Sequence, residues 1–313
     1  MTGYGKKATI AAVVAGLGGA GYMLFEAQWL RARRRRLPVP GLPERLEGLR
    51  VLHVSDLHAG APGPAGRAIV KFARAAQEMR PDMVLFTGDM TDKRKTLAPW
   101  VAMLHGIEAP LGKFAVLGNH DHGLRKTFLQ DLIRRLSGTN GGPGKYEIAE
   151  VPPHETASAN RRLLSRADIR LLENECATLD ARDEKIQICG VDDYQYGYAD
   201  LPAVSEQLDI SASLRILLSH SPDIVRVIPN GDYQLVLAGH THGGQICIPH
   251  PTRGKILLST SGSTFGDGLY RFPGLIMHVS PGVGTTLLPF RLLSRPEITL
   301  LELARAREAD LTG

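Results

Sequence analysis

Gly239-His240-Thr241-His242-Gly243-Gly244-Gln245 follows directly on the apolar run Gln234-Leu235-Val236-Leu237-Ala238. That run is short, partly β-branched and stopped by glycine, which is the pattern of a buried strand. Two histidines two residues apart at a strand end can both reach one ion, or two adjacent ones. Glycine on either side lets the backbone turn sharply and come close to a ligand. A paired histidine in a turn is ordinary by itself. Here four other strand ends also finish in metal-ligand chemistry.

Working outward, residues 49–55 read as a strand that runs into Asp56-Leu57-His58, and residues 83–87 as one ending in Gly88-Asp89-Met90-Thr91-Asp92. Residues 114–117 lead into Gly118-Asn119-His120-Asp121, and residues 215–218 into Ser219-His220. Helical spacing lies between them: Ile69, Phe72, Ala73 and Ala76 share one face before Pro81, and residues 98–105 form a second helix. Strand, polar ligands, helix, repeated, is the order of an α/β sheet, whose sites collect beyond the carboxyl ends of its strands. More strands are expected at 177–179 and 186–191, and a helix at 202–208. Residues 245–248, 275–279 and 298–301 read as strands of a second sheet. Residues 124–136 have amphipathic spacing, and Gly138 to Gly144 is glycine-rich. The span 126–159 reads as an exposed insertion, with a lid as the alternative.

Asp56, His58, Asp89, Asn119, His220, His240 and His242 suit two divalent ions sharing one carboxylate. Asp89, directly after the glycine that stops its strand, is the natural bridge, since a carboxylate can span cations about 3.5–4 Å apart. Asp56, His58 and one turn histidine would complete one shell; Asn119, His220 and the other turn histidine would complete the second. Imidazole, carboxylate and amide together suit Mn, Fe, Zn or Co, with manganese the first choice, and four histidines argue against an all-oxygen magnesium or calcium site. Each piece alone is a common turn former. Five of them, each just after an apolar strand, are hard to produce by accident.

With 313 residues, 43% of them hydrophobic, the chain has ample material for one large domain. The net charge of +5 rests on five arginines, Arg31 and Arg33 to Arg36; without them the body is nearly neutral and offers no basic, aromatic-interleaved surface for nucleic acid. Cys176, Cys189 and Cys247 are widely spaced and read as buried thiols rather than a disulfide framework. Before the arginines, residues 8–25 are uncharged and rich in Ala, Gly and Val; as a helix these 18 residues would span about 27 Å, close to a bilayer core. The expected organisation is therefore a transmembrane anchor at 1–30, a basic and proline-rich linker at 31–47, a catalytic domain at 48–304 and a tail at 305–313. The flanking charge bias puts that domain on the cytoplasmic side of the cell membrane.

Asp56-x-His58, Gly88-Asp89-x-x-Asp92, Gly118-Asn119-His120-Asp121, His220 and Gly239-His240-x-His242 together resemble the calcineurin-like metallophosphoesterase superfamily, with all five blocks in the family's order. Gly243-Gly244-Gln245, Gly282-Val283-Gly284-Thr285, Leu288-Pro289-Phe290-Arg291 and Arg295-Pro296-Glu297-Ile298 are similar to a narrower group of bacterial membrane-anchored phosphoesterases of the YkuE/YaeI type. The resemblance implies a four-layer α/β/β/α sandwich of two mixed sheets. It implies one ion on Asp56, His58, Asp89 and His242, and another on Asp89, Asn119, His220 and His240. It also implies attack on phosphorus by a metal-bridging hydroxide, with His120 protonating the leaving group and Asp121 orienting its ring. His122 is a secondary candidate, for a substrate phosphate. The expected substrate is a phosphodiester, phosphomonoester or pyrophosphate, open to a lipid-linked form. A nuclease and a catalytically inactive metal-binding scaffold are the alternatives, and no protein partner is inferable.

Overall fold

Runs such as Met83–Thr87 and Leu235–Ala238 have no polar face, so strands made of them must be covered on both sides. The computed structural model describes residues 3–60, 65–92, 98–123, 153–252, 254–257, 263–286 and 288–307. In it those strands form two mixed sheets. The first runs in the order β1 (Arg31–Val39), β14 (Glu297–Arg305), β2 (Arg50–Val54), β3 (Met83–Thr87), β4 (Lys113–Val116), β5 (Arg170–Leu171). The second runs β12 (Gly268–Phe272), β13 (Leu275–Val279), β9 (Leu235–Ala238), β8 (Leu214–Leu218), β7 (Glu184–Gly190), β6 (Glu175–Ala181).

Strand alternation sorts the side chains into layers. On β3, Met83 and Leu85 point into the core shared with Ile216 and Leu237 of the second sheet. Val84 and Phe86 point the other way, onto Ile69, Phe72 and Ala76 of the helix Ala65–Met79. Behind the second sheet, Leu217, Val236 and Met277 meet Val204 of the helix Leu201–Glu206. The chain is thus an α/β fold with two mixed sheets face to face. β2, β3 and β4 are parallel neighbours, as are β8 and β9, so their carboxyl ends gather at one rim.

Several expectations are corrected. The stretch read as a linker at 31–47 contains β1, which pairs in parallel with β14, Arg31 opposite Glu297 and Val39 opposite Arg305. Its arginines lie on an exposed sheet edge, where charge is tolerated, and Arg31 Nη1 is 3.4 Å from Glu297 Oε2. Leu37, Val39 and Leu46 are fully buried in the inter-sheet core, so the folded body begins well before residue 48. Residues 298–301 belong to the first sheet, because β14 returns antiparallel to β2, and β10 (Cys247–His250) forms a separate ribbon with β11 (Gly254–Leu257). Of the three strands assigned to the second sheet, β13 alone lies there.

Cys176 and Cys189 face each other across the β6–β7 pair as a disulfide, leaving Cys247 as a buried thiol. Their thirteen-residue separation becomes direct opposition only through the hairpin. A disulfide sits poorly with the cytoplasmic placement read from flanking charge, since cytosolic thiols are kept reduced. The apolar N-terminal run is helical, Gly3–Glu26. Among the described residues, however, no helix is long and apolar enough to cross a membrane, and glycines at 16, 18, 19 and 21 thin the apolar surface of this one. The helix expected at 124–136 and most of the insertion expected at 126–159 lie outside the described residues; its end is the helix Pro153–Arg166.

Leu37→Ala tests the reassigned strand: urea unfolding should register a loss of about 3 kcal/mol. A loss below about 1 kcal/mol would mean that residues 31–39 hang loosely on the body.

Candidate metal centre

Each ligand candidate stands where a parallel strand stops. Ser55-Asp56 follows β2, Gly88-Asp89 follows β3, Gly118-Asn119 follows β4, Ser219-His220 follows β8, and Gly239-His240 follows β9. Beyond the strands the backbones stay hydrogen-bonded: Asp56 N–H donates to Gly88 O and His58 N–H to Asp89 O, at 3.0 and 2.9 Å. Gly239 N–H donates to His220 O at 3.0 Å. To turn the side chains inward, Asp56, His58, Asp89, His240 and His242 all adopt left-handed backbone, with φ of 52°, 44°, 51°, 69° and 50°. Non-glycine residues rarely accept that conformation, which disfavours each by roughly 1 kcal/mol, and such strain gathers at functional sites.

The side chains form two trios whose ligand atoms lie within 4.8 Å of one another: Asp56, His58 and His242; and Asp89, His220 and His240. In the first, His242 Nε2 is 3.3 Å from Asp56 Oδ1 and 3.0 Å from His58 Nε2. In the second, His220 Nε2 is 3.3 Å from Asp89 Oδ2 and 3.0 Å from His240 Nδ1. Asp89 Oδ2 also faces the first trio, 3.6 Å from His58 Nε2. Asp89 Oδ1 accepts the backbone N–H of His120 at 2.9 Å, which leaves Oδ2 for the space between the trios. His220 donates Nδ1–H to Thr87 O at 2.8 Å, and this turns Nε2 inward. Asn119 is buried in the turn beside them.

Electrostatics favour a cation here. Asp56 is fully buried, its Oδ1 accepts no hydrogen bond, and burial pushes its pKa up. Burial would also raise Asp89, yet His220, His120 and His58 outweigh it and hold this carboxyl well below the usual range. Burial opposes charge on His220, but Asp89 and Asp56 push its pKa up to about 10. Burial, then His58 and Arg291, drive His242 well below its ordinary value. Buried carboxylate oxygens pointing at imidazole nitrogens, with an acceptor left over on Asp56, are a donor set that a divalent cation fits.

The remaining candidates separate. His120 Nδ1 is 2.9 Å from Asp92 Oδ1 and its Nε2 is 3.4 Å from Thr286 Oγ1. Asp92 therefore holds the ring, in the position expected of Asp121. Asp121 instead accepts backbone N–H groups of Met90, Thr91 and Gly118, because its side chain turns back into the loops and ties their bases together. Asp92 stands in the quoted Gly88-Asp89-x-x-Asp92 block but had no role there; its spacing from Asp89 was the available signal. His120 also forms a possible ligand trio with His58 and Asp89. His122 lies outside these trios, its Nε2 2.6 Å from Asp192 Oδ1 and its ring against Tyr198.

Gly118 has no room for a side chain, since a Cβ would lie 2.7 Å from Asp89 N and 2.8 Å from His220 Cγ. Gly118→Ala should therefore yield folded protein with less bound divalent metal, measured by elemental analysis. Parental metal content would show that this approach is not needed.

Residues 49–244 match the family described as calcineurin-like phosphoesterase. YkuE of Bacillus subtilis, named an uncharacterised metallophosphoesterase, is 28% identical over 291 residues, spanning 91% of this chain and 90% of its own. LpxG of Chlamydia trachomatis, named a UDP-2,3-diacylglucosamine pyrophosphatase, is 29% identical over 303 residues, spanning 88% and 90%. Phosphodiesterase YaeI of Escherichia coli is 27% identical over 297 residues, spanning 94% and 96%. The matched span contains every strand end that carries a ligand candidate, and the chain belongs to the calcineurin-like phosphoesterases, hydrolases of phosphoric ester bonds.

Proposed function

We propose that this hydrolase works with two divalent cations, one on Asp56, His58, Asp89 and His242, the other on Asp89, Asn119, His220 and His240. The observation that carries the reading is the meeting of two ligand trios at one buried carboxylate, Asp89. When bound, such cations supply Lewis-acid stabilisation of a phosphoryl group and an activated water for in-line attack. The donor set suits Mn, Fe, Zn or Co, with manganese the first choice.

His120 completes the chemistry from the more open side of the site. Asp92 accepts Nδ1–H, so the ring is oriented with Nε2 beside the Thr286 hydroxyl. From that position Nε2–H protonates the leaving alkoxide oxygen. The similarity to the phosphodiesterase YaeI and the pyrophosphatase LpxG supports a phosphodiester or a lipid-linked pyrophosphate as substrate. Membrane association belongs to the same reading: Val13, Val14, Leu17 and Phe25 are exposed on the N-terminal helix, and the arginines of β1 line a sheet edge nearby in sequence. Apolar and cationic groups together suit an anionic bilayer surface.

Two substitutions in manganese-loaded protein test this. His120→Ala should keep both ions and lose about 10²- to 10⁴-fold in kcat, most severely on poor leaving groups. Asp89→Asn should lower the content of both ions. A parental rate in the first variant sinks the general acid; two ions retained in the second sink the shared carboxylate.

A further inference from the structure

Arg291 is the bulkiest of the fully buried side chains, and the phosphoesterase reading gives it nothing to do. Its guanidinium is spread over carbonyl oxygens. Nε donates to Gly284 O at 3.1 Å, Nη2 to Pro281 O at 2.9 Å and Gly284 O at 2.5 Å, and Nη1 to Ser294 O at 2.9 Å and His242 O at 3.5 Å. Nη2 also lies 3.3 Å from His242 Nδ1.

These acceptors belong to the stretches that carry one trio. The loop after β13 is bonded to the end of β2, Val283 N–H donating to Ser55 O at 3.1 Å and Gly284 N–H to Asp56 O at 2.6 Å. A Cβ on Gly282 would lie 2.6 Å from Asp56 Cβ. On the other side, Ser294 Oγ donates to His242 O at 2.8 Å. One guanidinium thus joins the backbone behind Asp56 and His58 to the turn that presents His242. Among the described residues, its hydrogen bonds fall on this trio's side and not on that of His220 and His240.

Arg291 is in turn held by the end of the N-terminal helix. Its backbone N–H donates to Met23 O at 3.2 Å, and Ser294 N–H donates to Glu26 Oε1 at 2.8 Å. Glu26 is almost fully buried, with the Tyr22 hydroxyl beside its carboxyl group. Its hydrogen bond to Ser294 ties the helix end to the segment whose carbonyl Arg291 Nη1 holds. Burial lowers the Arg291 guanidinium's pKa to about 10, with Asp56 and Glu26 opposing, so it stays charged at neutral pH.

We propose that Arg291 is a positioning residue for the Asp56–His58–His242 cation site, and that Glu26 locks it in place. The end of the N-terminal helix is then a working part of the metal centre rather than a tail. Lysine cannot substitute, because a single ammonium cannot reach acceptors arranged around a planar fork. The inference rests on the metal reading given above.

The test is a cobalt titration of the full-length, metal-free chain, followed by visible absorption, for the parent, Arg291→Lys and Glu26→Gln. Glu26→Gln keeps a side chain of the same size that can still accept from Ser294, and so guards against a variant that merely fails to fold. Each variant should bind one equivalent about tenfold to a hundredfold more weakly and the other within about twofold of the parent, with the circular dichroism spectrum retained. Two equivalents bound with parental affinity in both variants overturn the proposal. So does equal weakening of both equivalents, which would make Arg291 a support of the whole rim. A parent that takes up no cobalt sinks the metal site itself, and this inference with it.

Discussion

The buried carboxylate of Asp89 is the constraint on which the rest of the rim depends. A carboxylate taken out of water raises its own pKa unless positive charge and hydrogen bonds oppose the change. Here His220 and His58 face Oδ2 and the His120 amide donates to Oδ1, and Asp89 stays ionised as a result. These partners come from β2, β4 and β8, in two different sheets. Their convergence requires that the sheets stack with parallel strands ending at one level. The large apolar core serves that end, holding the strand ends in register while the loops beyond them carry unfavourable chemistry.

That unfavourable chemistry is concentrated. Five ligand candidates adopt left-handed backbone, and Asp56, Asp89 and Asp121 are buried acids. Such strain persists only where surrounding structure over-determines it. Asp121 contributes by accepting three backbone N–H groups from two different loops, and Thr87 by accepting from His220. Glycines at 118 and 239 let neighbouring loops approach where a Cβ would collide with Asp89, His220, Ser55 or Asp56. Residues that offer no ligand atom thus decide where the candidate side chains point.

The N-terminal region changes meaning in three dimensions. Its arginines form an edge strand of the first sheet, its apolar positions at Leu37 and Val39 enter the inter-sheet core, and Glu26 reaches the loops behind His242. A segment that reads as an appendage by composition is joined to the body by backbone pairing and by a buried charge. Whatever surface the N-terminal helix meets, its end is mechanically continuous with the rim.

The local pattern of the sequence determined the strands that carry ligand candidates, because an apolar run stopped by glycine or serine and followed by His, Asp or Asn needs no distant information. β2, β3, β4, β8 and β9 and the residues just after them were legible for that reason. Tertiary structure alone decided what depends on distant neighbours. Asp92 rather than Asp121 holds His120, because loop geometry, not adjacency in sequence, sets which carboxylate meets Nδ1. β14 joins the first sheet although it follows the strands of the second, because sheet membership is a matter of pairing and not of order. Cys176 meets Cys189, and Ser294 meets Glu26 across 268 positions of chain, through folding that no spacing rule encodes. Periodicity reports which face of an element is buried; it does not report which element will cover it.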